Sequence, residues 1–241
     1  MNSGLSVTLQ AFGLFNLADF VAGAIHWLED AYIDEKTPVV GSTVGRANVI
    51  HHHLPRFFTR LTWWQSNWDL HVVAGLVVLA AWQCGFLGWQ VWFFALVAAN
   101  ANEVHKWSHR TRSENGPVIS FLQDIGLLLT VDQHARHHTD PKHSHYCAVG
   151  NLMNPLLDGI GFWNGLERLL AVTVGLQRRE DRSVHGHGPA PAWIADLRRA
   201  RVSQPASRSP HLPHTHACHH PHTDCPHHGD CPLLRGAGHG A

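Results

Sequence analysis

Asn102-Glu-Val-His105-Lys-Trp-Ser-His109 follows directly on the apolar run Trp89–Ala99, and further along comes His134-Ala-Arg-His137-His138. On a helix, residues i and i+4 share a face, and i, i+3, i+4 make a single patch. Each run therefore projects a cluster of imidazoles in one direction. His51 and His52 stand in a loop-like stretch after the first apolar segment, and His26 closes that segment. Neutral imidazole is the commonest nitrogen ligand of transition metals. Eight such groups beside apolar segments predict an all-α integral membrane protein, a short multi-helix bundle with histidine clusters on one face.

The composition agrees. Only 15% of the 241 residues are charged, while ten Trp and ten Phe supply the amphipathic rings that sit at membrane–water boundaries. The formal net charge is zero, so there is no basic excess to neutralise phosphates and no nucleic-acid partner is expected. Of the five Cys, Cys84 and Cys147 lie in the body and Cys218, Cys225 and Cys231 near the end, a spacing that argues against a disulfide-stapled secreted fold. The first segment has no basic lead-in and carries Asp19, so it reads as a retained membrane helix rather than a cleaved signal.

That first helix is expected over about Leu5–Trp27, matching the roughly 20 residues of a bilayer crossing. Asp19 and His26 are two turns apart on one face, and Asp30 extends that face. An ionisable residue inside a membrane helix is a functional-site hypothesis; capping or local pairing is the other role open to Asp19. Residues 31–69 read as loop, punctuated by Pro38, Gly41, Gly45 and Pro55. Val72–Gln83 and Trp89–Ala99 form a helical hairpin about Gly85 and Gly88, re-entrant or tilted because its first arm is short. Its flanks carry Lys and Arg and its turn carries none, which places every histidine cluster on the cytoplasmic side. Ile119–Thr130 is too short to span, and Trp163–Val174 reads as an amphipathic interfacial helix. Residues 1–182 thus form the membrane domain. Residues 183–241, with eleven of the 23 histidines, form a Pro/Gly/His-rich tail expected to be disordered, able to hold metals loosely or without a defined role.

No thiolate stands in the clusters, which disfavours structural zinc, and eight imidazoles exceed one coordination sphere, which points to two metals. Paired iron suits imidazole with a few carboxylates and activates dioxygen against unactivated C–H bonds. Asp30 is the candidate catalytic carboxylate. Asp132 and Asp140 are candidate ligands or orienters of ligand imidazoles, with helix capping equally open to both.

Taken together, Ala18-Asp-Phe-Val-Ala-Gly-Ala-Ile-His26-Trp-Leu-Glu-Asp30, His51-His-His-Leu-Pro55, the His105 and His134 motifs, Leu122-Gln-Asp124, Tyr146-Cys147 and Gly161-Phe-Trp-Asn-Gly-Leu-Glu167 resemble the Kua/CarF lipid desaturases. The resemblance covers about residues 14–170. It implies a membrane-bound, iron-dependent, oxygen-using enzyme with a di-iron site on His26, His51, His52, His105, His109, His134, His137 and His138, with Asp30 also in the pattern. It further implies a membrane phospholipid substrate and two electrons from a cytochrome b5 or ferredoxin donor. Removal of hydrogens from C1 and C2 of an alkyl ether chain would give a vinyl ether. Gln133 stands where some relatives carry His, His143 and His145 follow the last cluster, and Trp63 and Trp64 lie in a shortened loop; these leave the substrate open between ether and acyl lipids, and the outcome between desaturation and hydroxylation. A His-rich membrane metal carrier is the competing class. A bacterial inner membrane or the endoplasmic reticulum fits the sequence, which carries no recognisable transit peptide.

Overall fold

A computed structural model describes residues 3–139, 142–179 and 190–203, and these are helical or irregular, without strands. The chain divides between Arg201 and Val202, and the following concerns the first unit. Helix α1 (Ser3–Tyr32) is followed by a π-turn, then α2 (Arg46–His53), α3 (Pro55–Phe58) and α4 (Trp63–Gln83). Next come α5 (Trp89–Ala99), α6 (Ala101–Trp107), α7 (Arg112–Asp124, kinked at Gly116) and α8 (Val131–His137). The last are α9 (Met153–Gly159), α10 (Phe162–Val174) and α11 (Ala192–Ser203).

Three helices form a layer with α5 between α1 and α4. Gln90 donates to Gln10 at one end and the His26 and His105 rings lie 5.6 Å apart at the other, so α1 and the α5–α6 rod run parallel. α4 returns antiparallel, and its Trp63 indole donates to Asn100. A Thr62/Gln65 capping box starts α4 well before the expected Val72, because the two side chains satisfy each other's backbone N–H groups. The α4–α5 contact is built from Ala74, Ala95 and Ala99, small side chains that let the backbones approach closely. Gly4–Tyr32 is long and apolar enough to cross a membrane. Leu5, Leu9 and Phe12 on α1, Leu76 and Trp82 on α4, and Trp92 and Leu96 on α5 point outward.

The main aromatic core lies against the C-terminal half of α1. Trp27 and Trp163 stack at 5.9 Å, and Tyr146 meets Trp163 edge-on at 5.1 Å. The Trp27 indole donates to Glu167, which also pairs with Arg178. Asp19 is buried and accepts from the Val149 backbone N–H at 2.8 Å, so it anchors residues 147–150 to α1 rather than joining the histidines. Gly23 makes that anchorage possible: a Cβ there would stand 2.6 Å from the Cys147 sulfur and 3.0 Å from its backbone.

Further expectations change. The first helix runs on to Tyr32, so His26 is one turn inside it. Residues 46–58, expected as loop, are α2 and α3, which places His51 and His52 on a helix. Within the segment assigned to an unstructured tail, 192–203 is helical, because Trp193, Ile194 and Leu197 share a face that packs on Val49 and Leu54. The helix expected over Trp163–Val174 is found at Phe162–Val174.

The Gly23–Cys147 contact predicts that Gly23→Ala overpacks the core and costs about 1–3 kcal/mol. Thermal unfolding of the purified protein should then fall by roughly 2–10 °C for a chain of this size, and an unchanged midpoint would contradict the packing described.

Candidate metal centre

Four pieces of chain meet at the end of the layer where α1 and α6 terminate. His26 and Asp30 are a turn apart on α1, and His51 and His52 are consecutive on α2. His105 is on α6 and His109 in the turn after it, while α8 carries His134 and His137 with His138 as its C-cap. Thr130 starts α8 by accepting from the Gln133 N–H, which fixes where that helix begins and so where its imidazoles project.

Two groups of four result. In one, ligand atoms of His51, His105, His109 and His134 all lie within 4.8 Å of one another; the other brings together His26, Asp30, His52 and His137 on the same criterion. In the first group, His134 Nε2 is 2.9 Å from His105 Nε2 and 2.8 Å from His109 Nε2, and it also lies 3.0 Å from Nε2 of His138, beside the group. One ring nitrogen cannot serve three others as a hydrogen-bond partner. Nitrogens about 2.1 Å from a shared ion and roughly 90° apart would be separated by ~3.0 Å, which is the spacing found. Both His51 ring nitrogens are buried without a hydrogen-bond partner, a costly state that a cation would relieve.

In the second group, neighbouring carbonyls set the tautomers. His26 Nδ1–H donates to the Tyr146 carbonyl at 3.1 Å and His137 Nδ1–H to the Ser144 carbonyl at 2.9 Å. A carbonyl only accepts, so each proton is on Nδ1 and each Nε2 lone pair faces inward. Both Nε2 atoms are buried without a hydrogen-bond partner. His52 Nε2 lies 2.8 Å and His137 Nε2 3.4 Å from the Asp30 carboxylate. Asn48 donates to Asp30 Oδ1 at 2.8 Å.

Burial first, then the neighbouring imidazoles, hold His51, His105, His134 and His138 well below the usual histidine range. His137 is lowered for the same reasons, with Asp30 opposing. These rings are neutral at pH 7, the form that ligates metal.

All eight sequence-predicted histidines and Asp30 converge here. Asp132 does not join them, and His145 pairs instead with Asp158 at 2.8 Å. Asp140 lies outside the described residues. Sequence reasoning missed Asn48 and the Tyr146 and Ser144 carbonyls. Asn48 carries a signal, since it stands three and four residues before His51 and His52, on their face of α2.

Residues 15–181 match the family model described as lipid desaturase domain. The chain belongs to that family. Fatty acid desaturase 4 from chloroplasts of Arabidopsis thaliana is 34% identical over 182 residues, 73% of this chain and 55% of its own length. The plasmanylethanolamine desaturase of Myxococcus xanthus is 31% identical over 173 residues, 68% of this chain and 60% of its own length. For plasmanylethanolamine desaturase 1 of Mus musculus the identity is 30% over 182 residues, 68% of this chain and 65% of its own. The chain therefore spans between 55% and 65% of these relatives' length. No solved structure is significantly similar to it. The family match takes in both histidine groups and ends before α11.

Metal-stripped protein should gain stability when ferrous iron, manganese or zinc is restored, by about 2.7 kcal/mol at a hundredfold excess over Kd. His134→Ala should shrink that rise; thermal midpoints insensitive to all three ions would contradict metal binding here.

Proposed function

We propose that this chain is a membrane-embedded, oxygen-dependent lipid desaturase whose two histidine groups carry two iron ions. We further propose that it converts an alkyl ether phospholipid to the vinyl ether. The observation that carries this reading is the pair of four-ligand groups joined through consecutive residues, His51 in one and His52 in the other. Membership of the lipid desaturase family supports it, as do the relatives named plasmanylethanolamine desaturase.

One ion would be held by His51, His105, His109 and His134, with His138 beside them, and the other by His26, Asp30, His52 and His137. When bound, such a pair supplies the reduction of dioxygen to two waters, with two electrons from adjacent C–H bonds of the lipid chain and two from an external donor of the cytochrome b5 or ferredoxin type. This chain's own residues provide the geometry. The Tyr146 and Ser144 carbonyls keep His26 and His137 turned inward. The Asn48 amide fixes the Asp30 carboxylate as an acceptor. Phe58, whose ring lies 5.7 Å from His51 and 5.3 Å from His105, walls the first group with an apolar surface against which a hydrocarbon chain can lie.

The apolar length of α1 and the outward-facing Leu, Val and Trp side chains on α4, α5 and α10 support a membrane setting. Arg56, Arg60, Lys106 and Arg110 lie on the histidine side, and the α4–α5 turn carries no basic residue, which supports a cytoplasmic site in an inner membrane or the endoplasmic reticulum. A fatty-acyl substrate is the second reading, favoured by the similarity to fatty acid desaturase 4.

Cells expressing this chain and fed a saturated 1-O-alkyl phospholipid should accumulate acid-labile vinyl ether lipid, and cells expressing His137→Ala should not. A species two mass units lighter in an acyl chain would move the assignment to the acyl substrate. No change in any lipid, with iron and reductant present, would overturn the desaturase reading.

A further inference from the structure

α2 is a two-faced helix. Successive residues turn by about 100°, which puts Asn48, His51 and His52 on one side and Arg46, Val49, Ile50 and His53 on the other. The first side makes the metal centre. The second is covered by α11, which lies beyond the family match at residues 15–181.

The cover is close. Ile194 is fully buried against Val49 and Leu54. The Trp193 indole donates to Glu35 at 2.8 Å, and the Arg46 guanidinium lies 4.5 Å from the centre of the Trp193 ring. Arg198 donates to the His53 carbonyl at 3.3 Å, on the last turn of α2. An eight-residue helix cannot hold itself in water; isolated helices shorter than about 12–15 residues are marginal. α2 also supplies a histidine to each group, so a shift of this one helix would move a ligand in both.

We infer that α11 is a positioning strap for the metal centre: Trp193 and Ile194, outside the family match, hold α2 so that His51 and His52 reach their separate groups. The inference rests on the proposed metal-dependent reading. Loss of the α11 contacts acts through α2 on ligand placement, without touching a ligand.

The test is the rate at which a chelator extracts iron from the full-length, iron-loaded protein across the series Ile194→Val, Ile194→Ala and Ile194→Asp. Val78→Ala, a truncation in the α4–α5 layer, serves as the stability control. The rate should rise through the series, by about 10- to 100-fold at Ala, the range for lost support behind a ligand. Both ions should leave faster, Val should stay close to the parent, and Val78→Ala should match the parent rate even where its unfolding temperature falls. If Ile194→Asp does not fold, the comparison of Ile194→Val with Ile194→Ala decides. A flat rate across the folded members overturns the strap, as does acceleration of one ion alone or an equal acceleration in Val78→Ala. A parent that takes up no iron overturns the metal reading as well, and is distinguished from a failed strap by the loading measured before extraction.

Discussion

Asp30 is wholly buried, accepts from Asn48, and has His52 Nε2 at 2.8 Å and the His26 and His137 Nε2 atoms within 4.0 Å of its oxygens. A carboxylate out of water is costly unless charge and hydrogen bonds compensate it. His137, whose basicity burial depresses, is a poor source of that charge. A cation shared with His26 and His137 would supply it and would account for their inward lone pairs, and a second cation in the other group would account for the unsatisfied ring nitrogens of His51. The rest of the fold serves to bring four separate segments to this point.

The structure divides that work. The α1–α5–α4 layer, joined by alanines and faced with apolar side chains, sets the position and orientation of the ends that carry His26 and His105. The Trp27–Tyr146–Trp163 core presses residues 144–149 against α1, and the Tyr146 and Ser144 carbonyls that orient His26 and His137 lie in that segment. The Gly161-Phe-Trp-Asn-Gly-Leu-Glu167 motif therefore belongs to the scaffold: Trp163 stacks in the core and Glu167 holds the Trp27 indole. α2 is the exception, a short helix supported from the side away from the two histidine groups.

The convergence of these histidines was legible because short spacings keep them together on folding: His134, His137 and the C-cap His138 stay on one side of α8, and His109, in the turn just after α6, stays beside His105. Their partition into two groups was not, since His51 and His52 are neighbours in sequence yet diverge by a helical step in space. α2 was hidden by Gly41 and Gly45, which read as loop punctuation. At Gly45 the missing side chain serves packing instead, because a Cβ would stand 2.2 Å from the Asp34 carbonyl oxygen. α11 was hidden by the composition around it, although Pro191 followed by Trp193, Ile194 and Leu197 carries a helix start and one apolar face. Asp19 illustrates the opposite error, an acid within an apolar helix read as functional whose structural partner, the Val149 N–H, comes from a distant segment that no local pattern reveals.

The central claim is that two metal groups stand side by side, one containing His105 and the other His26. Iron content per folded chain, measured on the parent and on His105→Ala and His26→Ala after loading under reducing conditions, tests it most directly. Two ions in the parent and one in each variant is the expected result for two four-ligand groups. A single ion in the parent, or the same iron content in all three proteins, would contradict the account.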